Sequence, residues 1–195
     1  MPEKFTGLPG MGLLQRLALQ LWSENHDKFT RKTDAKTGRD AKPVPGRLDL
    51  FDDLLRLFKR LPPLPKETPV FRGMAWRGAK EFNDFLVSLR KEKLYVPRLN
   101  KPADSWSVAA SGARKYEAKG AFSVRLVCKS HASAKDISAL LRSIKGKLRN
   151  PDAKHPLVTD GEVVFSQGAK FRVLRIERGA INSNAGEATV YVQQL

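Results

Sequence analysis

Residues Asp160-Gly161-Glu162-Val163-Val164-Phe165 place two carboxylates, separated by a glycine, directly before an apolar run. A polar turn at residues 166–170 follows, and then Phe171-Arg172-Val173-Leu174-Arg175-Ile176, whose alternation predicts a second strand. The two segments together predict a hairpin with acidic residues at its mouth. A sheet can hold such a carboxylate rigidly against a cleft, although an acid at a strand edge is more often simply solvated.

The composition predicts a packed core and an anionic partner. Hydrophobic residues make up 41% of the 195 residues, and 36 Lys and Arg against 20 Asp and Glu give a net charge of +16. This excess fits nucleic acid, a nucleotide, an acidic protein or a membrane surface, and does not choose among them. The single cysteine, Cys128, excludes an intramolecular disulfide. The scattered histidines lack zinc spacing, so we expect no metal.

The sequence shows no targeting segment. Its apolar runs are far shorter than the ~18–20 residues of a membrane span, and no Sec signal is visible. We therefore expect a cytoplasmic protein without a membrane partner, which a specialised secretion route can still deliver into another cell.

Hydrophobic periodicity divides the chain into two parts. Residues 12–26 predict an amphipathic helix, and a basic, polar segment follows, so we assign residues 1–47 to a helix plus linker and residues 48–195 to the main domain. Helices first and strands later favour an α+β domain with antiparallel sheets. Further helices are predicted at residues 49–61, 79–92, 109–118 and 134–148, and strands at 69–74, 105–108, 122–128, 162–165, 171–176 and 188–192.

Two more motifs precede the acidic hairpin. Val70-Phe71-Arg72-Gly73 places an arginine at a strand end, where a guanidinium can hold a phosphate through paired hydrogen bonds. Asp104-Ser105-Trp106-Ser107 places two hydroxyls on one strand face and the indole on the other. Taken alone, the first motif is better explained as a surface arginine beside a turn. The second, taken alone, is better explained as an ordinary strand with small polar residues.

In this order, the three motifs resemble those of the arginine–serine–glutamate class of mono-ADP-ribosyltransferases, which includes bacterial toxins and phage-encoded enzymes. Arg72-Gly73 matches the first-strand arginine, Ser105-Trp106-Ser107 matches the Ser-x-Ser motif, and Glu162 matches the catalytic glutamate. The resemblance covers residues 48–192. It implies an α+β fold of two packed, mainly antiparallel sheets with N-terminal helices, and NAD as the substrate without a metal.

The resemblance also implies a role for each matched residue. Glu162 would stabilise a ribosyl cation, with Ser105 orienting it, and Asp160 would face the acceptor. Arg72 would bind the NAD phosphates, and the Gly73 backbone would meet the nicotinamide amide. The further NAD-binding candidates are Trp106, Ser107 and Lys119.

The acceptor is the open question. Asp160 stands where arginine-modifying members usually have Glu and several others have Gln. A protein side chain is slightly favoured, with RNA or DNA close behind because of the positive charge. The resemblance implies a toxin, effector or phage-type modifier, which can have an immunity partner. The alternatives are a non-catalytic basic nucleic-acid-binding protein and an NAD glycohydrolase.

Overall fold

The computed structural model describes residues 12, 15, 18–19, 50–97, 103–138, 140, 161–166, 168–182 and 184–195. Most of the predicted first helix, the linker, most of the predicted helix at 134–148 and Asp160 lie outside the described residues. Ala18 and Leu19 are helical and fully buried. The predicted division at residue 48 stays a prediction.

Three predicted helices are confirmed. Helix α1 runs from Leu50 to Arg60, α2 from Ala79 to Glu92 and α3 from Ala110 to Glu117. Each buries one apolar face, and α1 ends before two prolines that cannot continue it. None of the helices in the described part of the chain is long and apolar enough to cross a membrane.

In the described part of the chain, eight strands form one hydrogen-bonded ladder in the order β2-β7-β8-β4-β1-β3-β6-β5. Within the described ranges β4 and β8 run parallel, and the other neighbours are antiparallel. The strands are β1 (Val70–Trp76), β2 (Leu94–Tyr95), β3 (Ala103–Ser107), β4 (Phe122–Cys128), β5 (Lys135–Asp136), β6 (Glu162–Ser166), β7 (Phe171–Ile181) and β8 (Gly186–Gln194).

The ladder folds back on itself to make two packed layers. In the described part of the chain, β1 and β3 meet in one residue pair, Phe71 with Ser107, so the sheet is weakly joined there. Aromatic rings from the two halves then pack together. Trp106 stacks on Phe171 at 5.2 Å between ring centroids, and Phe165 meets Phe171 edge-on at 4.9 Å. This arrangement confirms the predicted fold of packed, mainly antiparallel sheets.

The structure corrects two predicted elements. Residues 134–148 were expected to be helical throughout, but Lys135–Asp136 pairs with β6 as a strand. Helical backbone appears at Ser138, whose N–H is accepted by the Asp136 carboxylate at 2.7 Å, a capping interaction. Strand β7 extends five residues past its predicted end at residue 176. These outer residues pair with β8 even though their side chains are exposed.

Candidate active site

Glu162 is the first residue of β6, and the sheet brings it beside both motif serines. Ser107 lies directly opposite Glu162 in the β3–β6 register, and Ser105 lies opposite Val164 on the same face. Backbone bonds fix the position of Glu162, because its carbonyl accepts the Ile137 N–H at 3.0 Å. The three candidate residues therefore share one face of the sheet, of which the alternation of the motif predicted the two serines.

The Glu162 carboxyl is buried without a strong partner. The residue is 5% exposed, and no donor in the described part of the chain reaches either carboxyl oxygen in normal hydrogen-bonding geometry. Burial raises the pKa of Glu162 from 4.5 to about 7, and the nearby Ser105 hydroxyl only partly opposes that rise. Burial of the carboxyl therefore controls its pKa more than the Ser105 hydroxyl does.

Arg72 lies at the gap where β1 and β3 separate. A continued antiparallel register from Phe71 and Ser107 would place Gly73 opposite Ser105. The half-buried Arg72 instead fills the gap, and its Nη1 donates to the Ser105 carbonyl oxygen at 2.7 Å. The guanidinium thereby holds the main chain of the serine motif.

Contacts made next to the Ser107–Glu162 residue pair set the start of α3. The Ser107 hydroxyl accepts the Ala109 N–H at 3.1 Å, and the Val108 N–H donates to the Gly161 carbonyl at 3.0 Å. Gly161 has a φ of +63°, and a Cβ there would lie 2.2 Å from Val108 Cγ2. The glycine between the two acids is therefore needed for this close packing.

The remaining predicted site residues lie elsewhere. Trp106 is 3% exposed in the aromatic core, on the face opposite Ser105 and Ser107, so it packs behind the candidate site. Lys119 follows the C-terminal end of α3, and its ammonium lies 4.4 Å from the centroid of the Tyr116 ring. Since α3 begins beside Ser107, Lys119 is at the opposite end of that helix from Glu162.

Gly73 is explained by packing before any ligand is considered. A Cβ on Gly73 would lie 2.0 Å from the Ala113 carbonyl oxygen of α3, so only glycine fits against that helix. Nothing in the sequence indicated an ion pair beside Gly73, in which Arg125 of β4 donates to the Glu117 carboxylate of α3. No spacing rule relates residues eight apart on a helix and a strand.

Comparison with known proteins identifies the fold. No protein-family model and no curated protein matches the chain. An ADP-ribosyltransferase from Clostridium botulinum matches with a TM-score of 0.59 at 12% identity, over 94% of this chain and 88% of that one. ADP-ribosyltransferase Vis in complex with agmatine matches with a TM-score of 0.59 at 16% identity, over 98% and 79%. The chain has the ADP-ribosyltransferase fold.

An effector has the same fold. The type III effector XopAI from Xanthomonas axonopodis pv. citri matches with a TM-score of 0.53 at 19% identity, over 93% of this chain. This chain spans 62% of the length of that effector. At such identities the likeness is one of fold, and the reaction has to be argued from the side chains at the site.

Proposed function

We propose that the protein is a mono-ADP-ribosyltransferase that transfers ADP-ribose from NAD to a macromolecular acceptor. The observation that carries this proposal is the Glu162 carboxyl, which is buried, lacks a well-formed hydrogen bond within the described residues and shares its face of the sheet with two serine hydroxyls. A carboxyl held this way raises the cost of folding at neutral pH, and such costs are typical of active sites. The shared fold supports the same reaction class.

The reaction breaks the bond between the ribose C1′ and the nicotinamide nitrogen. Nicotinamide leaves with the bonding electron pair and becomes neutral, while the ribose becomes an oxocarbenium-like cation. The Glu162 carboxylate stabilises that cation and accepts a hydrogen bond from the ribose 2′-hydroxyl. A nucleophilic atom of the acceptor then bonds to C1′ and releases its proton.

The other residues prepare the site. Ser105 and Ser107 keep the Glu162 side chain oriented along the strand face, and the Arg72 charge attracts the NAD pyrophosphate. The Gly73 main chain contacts the nicotinamide amide in this proposal, on the side of β1 away from α3. Trp106 and Lys119 are left out of the NAD contacts because of where they lie.

Asp160 is proposed to face the acceptor, an assignment that rests on its spacing from Glu162. Its side chain differs from the Glu of arginine-modifying members by one methylene. Agmatine, a guanidine compound bound to Vis, is a soluble substitute for an arginine acceptor. The assignment predicts that Asp160→Asn loses transfer to the acceptor and keeps nicotinamide release into water.

The two alternatives differ in the products they give. A basic nucleic-acid-binding protein leaves NAD intact. A glycohydrolase releases nicotinamide and free ADP-ribose without labelling a macromolecule. The site does not itself exclude water as an acceptor, so the products have to be separated experimentally.

The proposal is tested by incubating the protein with adenine-labelled NAD and a cell lysate. Parallel samples are treated with protease or nuclease, and a further sample contains agmatine in place of lysate. We expect macromolecular label that protease removes; label removed by nuclease means a nucleic-acid acceptor instead. Free ADP-ribose as the only labelled product would mean that the protein is an NAD glycohydrolase. Unchanged NAD in every sample would contradict the proposal.

A further inference from the structure

Glu117 and Arg125 form a two-point ion pair between the last turn of α3 and strand β4. Arg125 Nε donates to Glu117 Oε1 at 2.7 Å, and Arg125 Nη2 donates to Glu117 Oε2. The side chains are 27% exposed for Arg125 and 13% for Glu117. Such a planar, shielded contact holds geometry better than a surface ion pair does. The hydrogen bonds that the Glu117 carboxylate accepts raise the pKa of Arg125.

The ion pair belongs to a clamp that holds α3 against the sheet. Gly73 pairs with Arg125 in the β1–β4 register, and its missing Cβ lets the Ala113 carbonyl approach the strand. Just beyond α3, a Cβ on Gly120 would lie 2.4 Å from the Trp76 carbonyl oxygen. Main chain therefore touches main chain at two points, and the ion pair adds a directional side-chain link between them.

The other end of α3 is joined to the catalytic glutamate. Val108 donates to the Gly161 carbonyl, and its side chain fills the space that a Cβ on Gly161 would take. Ala109 donates to Ser107, which lies opposite Glu162. A tilt of α3 away from the sheet would consequently open the packing around the Glu162 carboxyl.

We propose that Glu117 and Arg125 are positioning residues for the reaction, which fix α3 and thereby keep water away from Glu162. This inference rests on the proposed function. The eight residues of α3 span about 12 Å, so the pair acts from the far end of the helix. Because Glu117 and Glu162 are both largely buried, salt screens their charges poorly, and the variants have to separate packing from a through-space charge effect.

The test is a titration of the Glu162 carboxyl by carbon NMR, assigned with Glu162→Gln. In both Glu117→Gln and Arg125→Met, we expect the pKa of Glu162 to fall by about one unit or more, because water enters the site. A through-space effect would instead have opposite signs, since one variant removes a negative charge and the other a positive charge. Arg125→Lys, which keeps the charge and loses the two-point contact, serves if Arg125→Met does not fold.

Kinetics give a second readout. In both Glu117→Gln and Arg125→Met, the kcat of nicotinamide release should fall roughly tenfold with little change in KM, as expected when the orientation of the reacting groups is lost. The charge-swapped pair, Glu117→Arg with Arg125→Glu, should restore both the pKa of Glu162 and kcat. The matched control is Glu177→Gln, which breaks the 3.0 Å Arg175–Glu177 pair in the same sheet and should change neither.

Two results overturn the inference in distinguishable ways. If the wild-type protein releases no nicotinamide, the proposed function fails and the positioning role fails with it. If the wild type is active but the folded variants keep the wild-type pKa of Glu162, or shift it with opposite signs, the positioning role alone is wrong.

Discussion

Glu162 has a pKa of about 7, so close to half of its carboxyl groups are ionised in the free protein at neutral pH. The proposed chemistry needs the carboxylate, because only the charged form stabilises a ribosyl cation. We expect kcat/KM for NAD to rise with pH and to reach half its maximum near pH 7, since this quantity reports the free enzyme. A pH–rate profile checks this, and a midpoint near that of an ordinary glutamate would contradict it.

The same pKa predicts how stability depends on pH. The folded protein binds the proton up to about pH 7, whereas the unfolded chain releases it near 4.5, so the carboxyl loses stabilising effect as pH rises through that window. Glu162→Gln removes the ionisation. We expect the variant to gain about 3 kcal/mol over wild type above pH 7, and nothing below pH 4.5.

Urea unfolding of both proteins across that pH range measures the difference directly. A Glu162→Gln variant that is equally or less stable than wild type at high pH would show that the carboxyl is hydrated. Ser138→Ala is a control in the same urea experiment. The Ser138 hydroxyl contacts the Glu162 main-chain carbonyl at 3.4 Å and does not reach the side-chain carboxyl group.

At the level of single residues, the sequence predicted which side chains share a strand face. It did not predict the contacts that hold these side chains in place. Alternation along β3 predicted that Ser105 and Ser107 lie together, and the hairpin placed Glu162 at a strand start. The burial of Glu162 and the bond from Arg72 to the Ser105 carbonyl depend on how strands diverge in space. Neither follows from the spacing of residues in the chain.

Helix α3 is held by close main-chain contact, and glycine substitutions test that contact. In Gly73→Ala the new Cβ would meet the Ala113 carbonyl, which cannot move without the helix. We expect a loss of about 1–3 kcal/mol in unfolding free energy, together with a loss of NAD turnover. Thermal or urea unfolding measures the first quantity and nicotinamide release the second.

Gly179→Ala is the matched control for this prediction. Its Cβ would meet the exposed Glu187 side chain, which is flexible and can turn away, so the stability should change by less than about 0.5 kcal/mol. If Gly73→Ala were as mild as Gly179→Ala, α3 would not be packed as described.

Predicted elements were accurate where one apolar face is buried. Helix α2 and strand β4 have the predicted bounds, because α2 buries Phe82, Leu86 and Leu89 at helical spacing and β4 is a continuous run of buried and half-buried residues. The two-residue strands β2 and β5 were missed, since so short a segment has no period and is defined by its partner strand. The outer half of β7 was missed because it is exposed on both faces.

For the whole molecule, the aromatic core joins the two halves of the sheet. Trp106 packs against rings from β2, β6 and β7, and is almost fully buried. Trp106→Ala should lower the unfolding free energy by about 3–5 kcal/mol. The protein should unfold in one transition, seen alike by circular dichroism and fluorescence. Separate transitions would mean that the halves have independent cores.

The fold class and the ordered motifs were predictable because strand periodicity and motif order survive in a single sequence. The resemblance implied two packed layers, but the place where the ladder divides into them could not be read from periodicity. In the described ranges it is the one residue pair between β1 and β3, Phe71 with Ser107. Strand alternation predicted that Trp106 points away from Ser105 and Ser107, and the structure shows it packed in the aromatic core.

The account depends most on Glu162, and one comparison tests it. Wild-type protein and Glu162→Gln, both shown to be folded by circular dichroism, are incubated with NAD at about pH 8, where the wild-type carboxyl is ionised. Release of nicotinamide by the wild type, with a loss of at least about 100-fold in Glu162→Gln, is the predicted result. Equal release by the two proteins, or none by either, would contradict the proposed function.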